Sequence, residues 1–308
     1  MDPDTFVTWL YVAVDDYCKD HLPAEASHRG RPPSLSRSEV ITLALFGQWD
    51  RFRCERAFHR TLQGHLPTAF PTLPDRSQFN RLVRHHWRAI AQVAIGLGQR
   101  VPDAAPAYEA LDCVAARVRD RKRRGMGWMP EDVARGWSNR LGWYEGFSVL
   151  TAASPAGVIT GFGFAPANTN ERWLAETFFA VRAHPLPDLP SVGGPVGLCY
   201  LADSGFWGLE WLTRWQGAYN ARVLAKPQAD TRYHWPRRVR RWHAHYRQIA
   251  ETVHNILLHT FRLDRDRPHA LDGFAARLAA KVGLHNFSMW LNAQLGRPLL
   301  AFADLIAW

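Results

Sequence analysis

Three acids, Asp112, Asp203 and Glu251, stand where packing alone does not call for a carboxylate. Asp112 interrupts the apolar run Ala110-Leu111-Asp112-Cys113-Val114-Ala115. Asp203 closes Val196-Gly197-Leu198-Cys199-Tyr200-Leu201-Ala202, just before Ser204-Gly205. Glu251 follows an Arg-rich stretch. Two acids at strand ends and one on a helix can hold divalent metal through hard oxygen ligands, leaving positions open for water and phosphate. A pair of such ions can activate water or a 3′-hydroxyl and stabilise the leaving oxygen of phosphoryl transfer.

Each acid also has a structural reading. In a strand, Ala110, Asp112 and Val114 share one face, and a buried, unpaired carboxylate there would cost several kcal/mol. A metal removes that penalty; so does an ion pair with Arg117 or Arg119. Asp203 sits at the carboxyl end of a buried strand, the edge where α/β sheets collect ligands, but an N-cap or turn aspartate fits there too. On a helix, Ile249, Val253, Ile256, Leu257 and Thr260 cluster on one side, and Glu251 falls nearly opposite with Arg247 and His254 beside it. An Arg247–Glu251 surface pair, cation before anion, is the weaker helical orientation and contributes only a few tenths of a kcal/mol.

The elements that must position these acids form two blocks. Residues 1–104 read as helical. Asp4 is placed to cap a first helix, and Ser36 and Glu39 have capping-box spacing for a second. A third covers 54–66, and a long fourth starts at Asp75 or Ser77 and runs past Ile95, carrying Arg81, Arg84, His85, His86 and Arg88. This basic helical block suits DNA binding by a helix-turn-helix, or support and dimerisation. Residues 105–308 read as α/β. Strand-like segments lie at 108–115, 146–151, 158–165, 197–202 and 221–226. A Ser154-Pro155-Ala156-Gly157 turn marks a hairpin, and helices fall at 170–184, 207–215, 240–261 and 271–295. A basic loop is expected around 231–241.

Composition narrows the partner. A net charge of +10 and a pI of about 9.9 favour a polyanion, nucleic acid or an anionic membrane surface. No apolar stretch approaches the length of a membrane span, and the N-terminus lacks the pattern of a signal peptide. Cys18, Cys54, Cys113 and Cys199 form no CxxC pair and read as reduced, buried thiols in a cytosolic protein. Most of the 14 tryptophans are expected in the core, with some free to stack on bases.

The ordered set of motifs resembles bacterial insertion-sequence transposases with a DDE catalytic domain of the RNase H-like fold. The matching segments are Leu111-Asp112-Cys113, the stretch from Gly161 to Glu171, Leu201-Ala202-Asp203-Ser204-Gly205-Phe206 and Arg247-Gln248-Ile249-Ala250-Glu251-Thr252-Val253. Leu35 to Val40, the region from Phe70 to Arg81 and Gly283-Leu284-His285-Asn286-Phe287 also resemble the family. The resemblance implies an RNase H-like mixed sheet flanked by helices, preceded by an all-helical N-terminal domain. It implies that Asp112, Asp203 and Glu251 are the catalytic, metal-binding acids, with two Mg2+ per site and Mn2+ as a substitute. Arg247 matches the arginine one turn before the glutamate. Two positions depart from the family: Ala244 stands where many relatives have tyrosine, with Tyr246 nearby, and Leu258 stands where many have a DNA-contacting lysine. Arg121, Lys122, Arg123 and Arg124, with Arg237, Arg238, Arg240 and Arg241, are the substitute phosphate-binding candidates; the alternative is a solvated surface.

The implied activity is metal-dependent strand cleavage and strand transfer of an insertion sequence. Its partners would be double-stranded DNA, as terminal inverted repeats and target, and a second copy in a synaptic homodimer. The setting would be the bacterial cytoplasm at the nucleoid, with no membrane partner. Rival readings are a domesticated or inactive DNA-binding derivative and a metal-dependent nuclease that never joins strands. The interval from Asp203 to Glu251 is too short for a large inserted domain.

Overall fold

A computed structural model describes residues 1–25, 33–65, 69–102, 106–119, 129, 131–184 and 199–308. The chain divides into two compact units, one of residues 1–101, 259–262 and 272–308, the other of residues 102–258 and 263–271. The sequence suggested two consecutive blocks; the contacts instead group the last long helix with the first hundred residues.

The first unit is helical. α1 (Pro3–His21) starts where Asp2, not Asp4, accepts a hydrogen bond from the Thr5 amide, with Pro3 opening the first turn. α2 (Arg37–Phe46) carries the full capping box: the Ser36 amide donates to Glu39 and the Glu39 amide to Ser36. α3 (Glu55–His65) follows. The expected long helix is broken at His86 into α4 (Arg76–His85), capped by Asp75, and α5 (Trp87–Gln99). α9 (Leu271–Gln294) is buried on almost every side from Gly273 to Asn292, so it forms the unit's centre. Phe287 meets Phe6 edge-on at 5.3 Å, the Asn286 amide donates to the Ala94 carbonyl, and buried Lys281 donates to Gln48. At Gly96 of α5 a Cβ would fall 1.8 Å from the Tyr17 ring, so only glycine lets α1 lie this close.

The second unit holds the acids. β1 (Tyr108–Arg119) pairs antiparallel with β3 (Gly142–Ala153), which pairs antiparallel with β4 (Ile159–Pro166). β5 (Cys199–Ala202) joins β1 in parallel, and β6 (Arg222–Ala225) joins β5 in parallel. The order β4-β3-β1-β5-β6, three antiparallel strands and then two parallel ones, is the RNase H-like arrangement. A short strand absent from the sequence reading, β2 (Ala134–Ser138), pairs with the start of β3. α6 (Glu171–Ala183) and α7 (Leu209–Tyr219) cover one face, where Leu111, Leu150, Leu174, Phe178, Phe179, Tyr200 and Trp215 form the core. Inside it, Arg182 pairs with fully buried Glu109 and donates to Tyr200 and Thr160. A buried charge left without such partners would be strongly destabilising.

α8 (Arg237–Asn255) lies on the opposite face, and a π turn (Ile256–Thr260) continues it. The expected basic loop around 231–241 is therefore partly helix, because Pro236 starts α8 at Arg237. Two histidines fix α8 to the sheet: His243 bonds the Leu224 carbonyl and His254 bonds Thr151 Oγ1 at 2.8 Å. The stretch from Asp203 to Glu251 holds only a 3-10 turn, α7, β6 and α8, with no inserted domain.

Two compositional expectations are corrected. Cys54 is exposed, and only Cys18 of the four thiols is fully buried. Among the described tryptophans only Trp49 and Trp215 are buried; Trp9, Trp137, Trp143, Trp173, Trp242 and Trp308 are exposed. The amphipathic indole tolerates a half-wet position that a hydropathy count assigns to the core. Among the described residues no helix is long and apolar enough to cross a membrane.

Candidate active site between two parallel strands and a helix

The parallel register sets the first two acids side by side. Leu111 of β1 stands opposite Ala202, the last residue of β5, so Asp203 follows just past the end of β5 while Asp112 lies within β1, which runs on to Arg119. Of the two acids expected at strand ends, only Asp203 is at one. Pleating turns Leu111 and Ala152 toward the α6–α7 core, so Asp112 and its cross-strand neighbour Thr151 face α8. Asp203 also caps the 3-10 turn Ser204–Phe206, its Oδ1 accepting from the Gly205 amide at 2.9 Å. The N-cap reading of Asp203 thus holds, and the side chain sits at the carboxyl end of β5.

Asp112 finds its partner on α8, not at Arg117 or Arg119. Arg247 Nη1 donates to Asp112 Oδ2 at 2.9 Å, while Nη2 donates to Glu251 Oε1 at 2.8 Å. One guanidinium fork therefore joins the first and third acids. Arg119 pairs with Glu145 instead. Glu251 stays on the solvent side of α8, as its helical phase predicts, with 57% of its side chain exposed. His254 does not lie beside it in solvent: it is buried, with Nδ1 3.8 Å from Asp112 Oδ2. The buried stripe of α8 runs through His243, Ala250, Val253 and His254, rotated from the one read by hydropathy.

The electrostatics are those of crowded negative charge. Burial pushes the Asp112 carboxyl above the usual carboxylate range, against the pull of Arg247 and the Cys113 amide. Burial, and then the charge of Asp112, does the same to Asp203. A further acid, Glu171 at the start of α6, is raised to about 7 by burial and by the charges of Asp203 and Asp112. Burial and Arg247 hold His254 down at about 4, so it is neutral near pH 7 and acts as a hydrogen-bonding group toward Thr151. Sequence reasoning placed Glu171 at the end of a family-like segment without giving it a role; as a first-turn helix acid after the N-cap Asn170 it looks ordinary.

Beside Asp203 opens a cleft of about 610 Å3 lined by Asp203, Lys226, Arg237, Arg240, Arg241, Arg247 and Glu251, among others. Four of the five predicted α8 arginines line it; Arg238 does not. Arg121, Lys122, Arg123 and Arg124 lie outside the described residues. Ala244, where relatives carry tyrosine, also lines the cleft, whereas Leu258 is buried and faces no solvent. Lys226 was missed, although its position just past the end of β6 follows the same strand-end logic that found Asp203.

Oxygen donors, mutual repulsion and raised pKa values suit a hard divalent cation at Asp112 and Asp203. Among the described residues no three His, Cys, Asp or Glu side chains converge closely enough to cage an ion as they stand, since Arg247 engages Asp112 and Glu251.

Comparison with known proteins adds the following. A family model described as a transposase DDE domain matches residues 110–287. No curated protein matches the chain. Among solved structures, the Mos1 strand transfer complex aligns at 12% identity over 92% of this chain and 84% of that one, with a TM-score of 0.26. The Mos1 transposase paired-end complex with left transposon end aligns at 11% identity over 92% and 85%, also at 0.26. A likeness this distant adds nothing to the strand order.

Proposed function

The chain belongs to the transposase DDE-domain family, and from that premise we propose that it cuts DNA strands at the ends of a mobile element and joins them to a target. The observation that carries this reading is the pair Asp112, within β1, and Asp203, just past the end of the parallel β5, brought side by side by the register and lying beside a cleft lined by Lys226, Arg237, Arg240, Arg241 and Arg247.

In this reading Asp112, Asp203 and Glu251 hold two Mg2+ ions, with Mn2+ as a substitute. When bound, the ions supply Lewis acidity at the attacked phosphate and at the leaving oxygen. Arg247 orients Asp112 and Glu251 through its two bonds. His254, neutral and fixed by Thr151, shields Asp112 from the side of the sheet without adding charge. The cleft arginines and Lys226 take backbone phosphates, which fixes the register of the duplex without reading its sequence. Arg121, Lys122, Arg123 and Arg124 would add phosphate contacts close in sequence to Asp112. Arg238, exposed on α8 but not part of the cleft lining, would add a phosphate contact outside the cleft.

The partners proposed are terminal-repeat and target DNA and a second copy of the chain, with the helical unit binding DNA or dimerising. In that unit Arg76 and Arg84 already lie within 3.7 Å of Glu55 and 3.8 Å of Asp272, while Arg81 and Arg88 are exposed. Arg81 bonds only the neutral Gln78 and Arg88 lies over the Trp87 ring, so both charges are offered to a polyanion.

The test is incubation with Mg2+ and a plasmid carrying the DNA that flanks the reading frame. Cleavage at the flanks with joined products supports the proposal. Nicking without joining would make the protein a nuclease. Binding with no divalent-dependent cleavage would make it a DNA-binding derivative.

A further inference from the structure

We propose that Glu171 is a fourth carboxylate of the metal site, supplying oxygen ligands beside Asp203 and Asp112. This rests on the functional reading above and adds a ligand to it. The geometry is set by Gly205. A Cβ there would lie 1.8 Å from Glu171 Oε2 and 3.1 Å from Asp203 Oδ1, so both carboxylates border the same small space, kept open by a residue without a side chain. Glu171 reaches it from the first turn of α6, where Asn170 fixes the helix start by accepting from the Arg172 amide.

Nothing else in the surroundings explains where this carboxylate points. Among the described residues it accepts no hydrogen bond and makes no ion pair. The adjacent Arg172 turns to Asn170 and to the Trp207 carbonyl instead. An acid in a first turn is favoured by the helix dipole, but the dipole asks only for exposure near the amides. It does not ask for a half-buried position against two other acids. Elsewhere in this unit a buried acid is matched: Glu109 has Arg182, and Glu176 has Arg214, Trp215 and Tyr219. Among the described residues Glu171 has no such partner and Asp203 has only backbone amides, and a divalent cation between them satisfies both. Carboxylates from β1, β5 and α6 would then leave Glu251 on α8 to close the site from the solvent side.

The probe is Mn2+ alone, titrated into the full chain and followed by the electron paramagnetic resonance of the free ion. Glu171→Gln is expected to weaken binding tenfold or more, or to remove one of the bound ions, with Glu171→Asp recovering part of the loss. Unchanged stoichiometry and affinity in Glu171→Gln, while Asp203→Asn loses binding, would overturn the role of Glu171 and leave the functional reading standing. No Mn2+ binding by the unaltered chain would sink both. A second measurement needs no variant: Fe2+ with ascorbate and peroxide cuts backbone next to its ligands. Cuts near residues 112, 171 and 203 support the proposal; cuts near 112 and 203 without one near 171 refute it.

Discussion

Replacing Arg247 with alanine tests how the acids are held. The fork donates to Asp112 at 2.9 Å and to Glu251 at 2.8 Å. The two bonds differ in worth. Arg247 and Asp112 are 19% and 14% exposed, so their bond is largely removed from water. Removing one partner leaves a mostly buried carboxylate, a loss of about 2–3 kcal/mol for a charge-assisted bond at this depth. Glu251 is mostly exposed, and its pair one helical turn away contributes only about 0.3–0.5 kcal/mol. Arg247→Ala should therefore destabilise the metal-free chain by about 2–4 kcal/mol at pH 7. The sign with pH follows from Asp112. Its folded pKa is already above the usual range, and losing the cation raises it further. The penalty is thus full where Asp112 is ionised and fades as pH falls and the carboxyl protonates in both proteins. The assay is urea unfolding at pH 7 and pH 4.5, read by circular dichroism and by tryptophan fluorescence, to which buried Trp215 of the same unit contributes. In an Asp112→Asn background the same change should cost less than about 1 kcal/mol. An equal loss at both pH values, or in both backgrounds, would refute the assignment of the energy to the Asp112 bond.

Other outcomes follow from the same geometry. Glu171 titrates near 7 against an ordinary value of 4.5, so folding is least opposed below about 4.5 and loses stability as pH rises through 7. Metal-free Glu171→Gln should be more stable than the parent by about 1–3 kcal/mol at pH 8, with no difference at pH 4, measured by unfolding at both. Gly205→Ala drives a methyl into Glu171 Oε2, and its Mn2+ affinity should fall with that carboxylate displaced, as a titration would show. Arg240→Ala and Arg241→Ala should each weaken duplex binding alike for any sequence. Each should also lower the salt dependence of binding by about one unit of log–log slope, measured by anisotropy from low to moderate salt.

The sequence carried Asp112 and Asp203 because a carboxylate inside or just after an apolar run is anomalous, and the parallel register then sets the two together, although Asp112 lies within β1 and not at its end. Glu251 was legible from helical phase. His254 was not: hydropathy treats histidine as polar, yet its bond to Thr151 satisfies it in the interior. The same bond, and that of His243 to Leu224, rotate the buried stripe of α8. Glu171 hid as an ordinary helix-start acid, because its significance lies in a through-space approach across Gly205. β2 escaped because Ala134-Arg135-Gly136-Trp137-Ser138 has little apolar alternation; its edge pairing with β3 supplies what the sequence lacks. The break at His86 has no proline or glycine to announce it, and α4 and α5 read as one helix.

The central claim is that Asp112 and Asp203 make this cleft a divalent-dependent site for breaking DNA strands. The most direct measurement is the Mg2+-dependent cleavage rate on flanking-end DNA for the parent chain and for folded Asp203→Asn. The account predicts cleavage that requires Mg2+ or Mn2+ in the parent and falls at least a thousandfold in the variant, with duplex binding retained. Cleavage by Asp203→Asn at the parent rate would contradict it.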